Sequence, residues 1–342
     1  MPKTAPKAGT VARSKTARAR AAAAAPAAGP GTRRHELVLP PSPGGLRLDQ
    51  ALSQALPQYS RSRLAGWIKS GAVQLDGRAV RPRDAVYGGE QVRVEAQLAP
   101  DDSVAPERMP IKIAYRDKHL FVVDKPAGLV VHPGAGNRAS TLQNGLLALD
   151  PQLATVPRAG IVHRIDKDTS GLLVVARTIE AHAALVEMLR EHQVQREYQA
   201  LCVGAITGGG TVDRPIGRHR TDRLKMAVRP DGREAVTHYR LAERFAHHTL
   251  LSVQLETGRT HQIRVHLAHI GHPLVGDPAY GGRRQLTPGA TPAQREALKA
   301  FGRQALHAGR LAFEHPVTGK AIDVTSPLPA DFKRLLAVLR GA

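Results

Sequence analysis

Cysteine is nearly absent, with a single residue, Cys202, in 342. One thiol excludes an intramolecular disulfide and any cysteine-built zinc cluster, and it suits a reducing, cytoplasmic setting. Long apolar runs are missing too. None approaches the ~20 residues that a bilayer-spanning helix needs, and the basic start lacks the apolar segment and cleavage site of a secretory signal. Acids are few beside bases, 29 Asp and Glu against 49 Lys and Arg, for a net charge of +20. A chain so basic expects a polyanionic partner, with nucleic acid ahead of an anionic membrane surface.

Composition divides the chain. Residues 1–34 carry eight Lys or Arg, no acid and the run AAAAAPAAGPG, which predicts a disordered basic tail. The remainder still holds +12 of the +20, so basic character belongs to the folded part as well. Residues 45–100 read as a small module. Leu48, Leu52, Ala55 and Leu56 have helical spacing, and a second helix opens at Ser60 and runs through Leu64, Trp67 and Ile68 to Gly71. A hairpin about Asp76-Gly77 and a strand in GGEQVRVEA follow. This order, with Arg61, Arg63 and Lys69 around the second helix, resembles the S4 RNA-binding domain.

A Pro- and acid-containing linker, 101–110, leads into a larger unit, 111–330. Strands are expected at its start, on both sides of Asp117-Lys118, and a Gly/Pro loop follows with Lys125 and His132 at its ends. GIVHRIDKDTSGLLVVA, residues 160–176, sets charged side chains and a His between two apolar runs. It reads as two strands bounded by a turn at Asp168-Thr-Ser-Gly171, so its charged residues belong at an edge or in a cleft. A helix from Thr178, strands in REYQALCVGAI, AVTHYRLAERF and TLLSVQLETG, a helix over Thr260–Gly271 and a hairpin turning at HPVTG complete the pattern. Many strands at hairpin spacing with few helices predict an α+β fold with a mixed, mainly antiparallel sheet.

Three chemistries compete for this material. Asp166-Lys-Asp suggests a phosphotransferase aspartate pair, but His163 and Arg164 interrupt the strand that should precede it, and VGDPAYGG adds only Asp277 for a metal. His261, His266, His269 and His272 suggest a metal site, but no Glu or Cys completes it and Arg264 would put a cation among the ligands. The third combines Asp166, Tyr198 and Arg264, which lie tens of residues apart in HRIDKDTSG, REYQA and GRTHQIRVH.

With these segments, DKPAGLVVHPGAGN and ETGRTHQIRVHLAHIGHPLVGDPAYGG, the chain resembles the RluA-type pseudouridine synthases from about Leu46 to Leu328, and most of all the branch acting on large-subunit (23S) rRNA. Ile165 is the one conservative departure from the signature around Asp166. The resemblance implies a pseudouridine synthase fold with a central cleft, no cofactor and no metal. Asp166 would be the catalytic carboxylate, attacking the ribose C1′ or the uracil ring. Arg264 would be its basic partner, Tyr198 the surface against the target base, and Arg164 the residue filling the gap left by a flipped uridine. Lys125, His132, Arg259 and His261 would join Arg61, Arg63 and Lys69 in binding RNA. The implied partner is large-subunit rRNA or the assembling subunit, with helix 69 as target, in ribosome biogenesis; a monomer without membrane association is expected. The reading from another class is a non-catalytic RNA-binding assembly factor.

Overall fold

The computed structural model describes residues 32–56, 59, 61–97, 104–134, 137, 139–281 and 289–341. The expected tail therefore lies outside the described residues, except for Thr32–Arg34. Those three open a strand, β1 (Thr32–Val38). The N-terminal module continues with β2 (Leu46–Arg47), α1 (Leu48–Ala55), α2 (Arg61–Lys69), β3 (Val73–Leu75), β4 (Arg78–Ala79), β5 (Ala85–Val86) and β6 (Gln91–Gln97). Its main sheet runs β1-β6-β3-β4. The hairpin turns where it was expected, because Asp76 and Gly77 both take positive φ, 48° and 76°, as a two-residue turn matching strand twist requires. Leu48, Leu52, Leu64 and Ile68 meet Val73, Val92 and Val94 in a core of its own.

The larger unit begins with β7 (Lys112–Arg116), β8 (Leu120–Lys125) and α3 (Leu142–Leu149). Two 3₁₀ turns lead to β9 (Ser170–Ala176), α4 (Ile179–Arg190), β10 (Gln195–Val203), β11 (Gly210–Asp213), β12 (Ile216–Arg218) and β13 (Met226–Val228). Then come β14 (Val236–Arg244), β15 (His248–Leu255), α5 (Gln262–His269), α6 (Pro292–Ala300), β16 (Leu306–Glu314), β17 (Ala321–Thr325) and α7 (Ala330–Arg340). Among the described residues nine strands form one sheet, ordered β11-β14-β15-β10-β16-β9-β8-β7, with β17 also on β16. Every pairing in it is antiparallel except β16 with β9, which meet only at His307–Ser170 and Ala308–Gly171. The fold is thus α+β with a mixed sheet.

Both faces of this sheet are covered, and alternation along the strands decides which residue goes where. Phe121, Val123, Leu173 and Val175 join Leu142 and Leu146 of α3 and Ile263 and Leu267 of α5. Leu120, Val122, Leu172 and Val174 face Ala181 and Leu185 of α4 instead. All seven residues of β9 are buried as a result. The expected linker is not a loose spacer where it is described, for Asn144 Nδ2 donates to the Ala105 carbonyl and Glu107 N to the Asn144 carbonyl. Among the described residues no helix is long and apolar enough to cross a membrane.

Candidate active site

The loop carrying Asp166 enters the sheet at its one parallel junction. The sequence predicts two strands here, but Ile161 makes only an isolated bridge to Val175, and the strand begins at Ser170 after a turn at Lys167-Asp168. The reason lies in the edge of β9. Beyond Gly171 that edge has no strand neighbour among the described residues, and the His163 ring takes the place of one, its Nε2 accepting from Val174 N at 3.0 Å. Burial pushes the His163 pKa down to about 3, with Arg196 adding to the effect, so the ring is the neutral acceptor this bond requires. Arg164 and Asp166 therefore project from a loop rather than from one strand face. Between them Ile165, 5% exposed, plugs into the core and fixes both.

Lys125 holds the same loop from behind. It is 1% exposed, and its Nζ donates to the carbonyls of Pro126, Leu129 and Lys167 at 2.8, 2.9 and 2.8 Å. Burial lowers its pKa to about 7, while the charges of Asp168 and Asp166 pull it back. The expectation that Lys125 binds RNA is thereby corrected, because a side chain enclosed by three carbonyls does not reach a ligand. Arg303 Nη1 donates to the Asp168 carbonyl and Gln304 Nε2 to Thr169 Oγ1, so every residue of the turn is tied down. Gly171 takes φ +110°, and a Cβ there would stand 2.2 Å from the Ala308 oxygen, which is why the strand junction needs glycine.

Arg264, on α5, stands between two carboxylates. Nη1 donates to Asp166 Oδ2 at 3.0 Å, while Nε and Nη2 donate to Asp277 at 2.7 and 2.8 Å. Asp277 Oδ1 also accepts from the backbone N–H groups of Ala279 and Tyr280. Burial opposes ionisation of Asp277, yet these bonds hold its carboxyl below the usual range; burial likewise opposes the Arg264 charge, and the two carboxylates outweigh it. The Tyr280 ring lies 5.0 Å from the Arg264 guanidinium, and its hydroxyl meets His261 Nδ1 at 2.8 Å. His261 in turn sets Nε2 3.9 Å from Asp166 Oδ1, and burial lowers its pKa against the pull of Asp166.

Tyr198 arrives from β10, where a bulge between Glu197 and Tyr198 re-aims the strand. It is 6% exposed, and burial raises its pKa, so it offers a neutral phenol. Asp166, Tyr198, Arg264, Arg164, His132 and Arg259 all line one cleft of about 900 Å³. Among the described residues six arginines and a single carboxylate, Asp166, line it, a charge balance made for a polyanion.

The other expected residues divide. Arg164 is exposed at the cleft, His132 meets Gln143 at 3.3 Å, and Arg259 is held by the Glu234 carbonyl. In the N-terminal module Lys69 is exposed, whereas Arg61 is bonded at 3.0 Å to both oxygens of the buried Asp49, which Arg47 also grips. Arg63 Nη1 donates to the Thr155 carbonyl and so ties this module to the larger unit. Three of the four histidines weighed as metal ligands have other partners: His261 meets the Tyr280 hydroxyl, His266, fully buried, meets Thr237 Oγ1 and the Arg214 carbonyl, and His272 the Val203 carbonyl. Three residues of the site escaped the sequence reading. Asp277 was visible only as an isolated acid, Tyr280 gave no signal, and Arg196 was hidden beside Tyr198 in REYQA.

Residues 119–269 match the RNA pseudouridylate synthase family and residues 46–92 the S4 domain. The chain is 57% identical, over 89% of its own length and 92% of the relative's, to ribosomal large subunit pseudouridine synthase D of Xanthomonas campestris pv. campestris. It is 54% identical to the protein of that name in Pseudomonas aeruginosa, over 87% of this chain and 93% of that one. Among solved structures, human RNA pseudouridylate synthase domain containing 4 is similar at a TM-score of 0.53 and 28% identity, covering 67% of this chain and 93% of its own. With likeness running through both units, and with a carboxylate, an arginine and a tyrosine meeting in a cationic cleft, the chain belongs to the RNA pseudouridylate synthase family and carries an S4 domain ahead of its catalytic unit.

Proposed function

We propose that this protein isomerises uridines of large-subunit rRNA to pseudouridine, with Asp166 as the covalent catalyst. The observation that supports this most is Asp166, the lone carboxylate of the cleft among the described residues, held by Arg264 at 3.0 Å in a wall of arginines. The names of the relatives point to the same RNA. In the reaction the C1′–N1 bond breaks, a C1′–C5 bond forms, C5 loses a proton and N1 gains one. No oxidant, reductant or second substrate enters the balance, and an ionised carboxylate is a sufficient nucleophile at either C1′ or the ring.

Stacked in RNA, a uridine hides its glycosidic bond, so it must be drawn out before attack. Arg164, exposed at the cleft, fills the vacated place in this proposal, and Asp166 meets the extruded nucleotide. Tyr198 packs against the base, and as a neutral phenol it takes the C5 proton only in step with passing on its own. His132, Arg259 and His261 meet RNA around the rim. By resemblance the target is the helix 69 stem-loop, the enzyme acting as a monomer. Incubation of purified protein with large-subunit rRNA, followed by mapping of pseudouridine, tests the proposal. New pseudouridine at uridines of helix 69 is expected; none anywhere in the rRNA would overturn it.

A further inference from the structure

Among the described residues, Arg196 is a buried cation without a counter-ion. It precedes Tyr198 by two residues on β10, and both side chains line the cleft. Arg196 is only 7% exposed. Nη2 donates to the Glu256 carbonyl at 2.9 Å, and Nε has no hydrogen-bond partner among the described residues. Within the described residues Nη1 makes no hydrogen bond and no carboxylate pairs with the guanidinium, unlike Arg264 with its two acids or Arg177 with Asp150. Gly258, also on the cleft, faces it: a Cβ there would stand 2.8 Å from Nη1, so the absence of a side chain leaves that nitrogen uncovered.

An ionised group held out of water without a partner is costly, and a fold that retains one needs a reason. We propose that Arg196 takes a backbone phosphate next to the flipped uridine, so that the RNA supplies the counter-ion the fold lacks. Open donors on a guanidinium select an anion, and the anion of RNA is the phosphodiester. Its neighbour on the strand is Tyr198, so the phosphate lies beside the base-contacting residue and its capture sets the depth to which the nucleotide enters. This inference rests on the RNA substrate proposed above.

The test uses the full chain and stem-loop RNAs carrying one uncharged methylphosphonate linkage at successive positions around the target uridine. With wild type, one linkage adjoining the uridine is expected to weaken binding about tenfold, the worth of one charge-assisted contact. Arg196→Met should bind the unmodified RNA about tenfold more weakly and lose sensitivity at that linkage alone, while its Tm stays at or above that of wild type because a buried, unpaired charge has gone. Arg196→Lys, which keeps the charge, should retain part of the sensitivity and serves equally if the Met variant does not fold. Sensitivity unchanged at every linkage in both variants, or an Arg196→Met protein that binds as wild type does, would overturn the inference. Failure of the wild type to form pseudouridine on the unmodified stem-loop would instead remove the proposed function, so the two failures are distinct.

Discussion

Arg264 reaches Asp166 with one nitrogen, at 3.0 Å, and spends the other edge of its guanidinium on Asp277. The second carboxylate is what makes the first pairing rigid. Asp277 is fully buried and receives two backbone N–H groups, so it anchors the arginine that is paired with Asp166.

Asp277→Asn should therefore act at a distance from the substrate. Losing half of a buried ion pair costs about 3–5 kcal/mol of stability, and a displaced Arg264 should slow single-turnover isomerisation about a hundredfold. Denaturant unfolding and single-turnover rates check both, and an unchanged rate would mean that Arg264 keeps its aim without Asp277.

Asp166→Asn separates chemistry from binding. Pseudouridine formation should fall to background, while RNA affinity and melting temperature remain near wild type, because the amide keeps the shape and gives up the nucleophile. Appreciable turnover by a folded, RNA-binding variant would remove Asp166 from the mechanism and revive the reading of a binding factor.

Lys125→Met should destabilise rather than weaken RNA binding. Three carbonyls would lose their donor and the turn after Asp166 its anchor, a loss of about 3 kcal/mol by the cost of buried unpaired groups. Equilibrium unfolding beside RNA titration distinguishes this from a phosphate contact, which would leave stability intact and flatten the salt slope.

His163 predicts a pH dependence. Its folded pKa, about 3, lies below the value near 6.5 of an unfolded chain, so the unfolded state binds the extra proton between those values. The neutral ring's contribution is complete above about pH 6.5 and is lost as pH falls toward 3, at up to about 1.4 kcal/mol per pH unit. His163→Gln keeps an acceptor without titrating. Stability measured from pH 7 to 4 should fall more steeply for wild type than for the variant; parallel curves would show that the ring is protonated in the folded protein.

In the S4 domain two of the basic residues, Lys69 and Arg61, should behave differently. Lys69→Gln should lower the salt dependence of RNA binding by about one unit or slightly less, as a lost phosphate contact does. Arg61→Ala should leave that slope nearly unchanged and cost about 1 kcal/mol of stability, because Arg61 serves the buried Asp49. Salt titrations of binding for both variants decide the matter.

The sequence by itself determined the Asp76-Gly77 hairpin, the strand in LLVVA and the helix after Thr178, because apolar period and turn chemistry are local properties. It also singled out Asp166, Tyr198 and Arg264, since long motifs carry residue identity whatever their spacing. What it could not supply was direction. Lys125, Arg61 and Arg196 are all basic, yet one closes a loop on three carbonyls, one neutralises a buried acid and one lines the cleft with no carboxylate partner among the described residues. His163 reads as part of a charged turn and in fact completes a strand edge. Only the tertiary structure decided these roles, because the partner of a charged side chain is chosen by elements brought together from distant parts of the chain. Arg264 and Asp166, 98 residues apart, meet only once the sheet has closed.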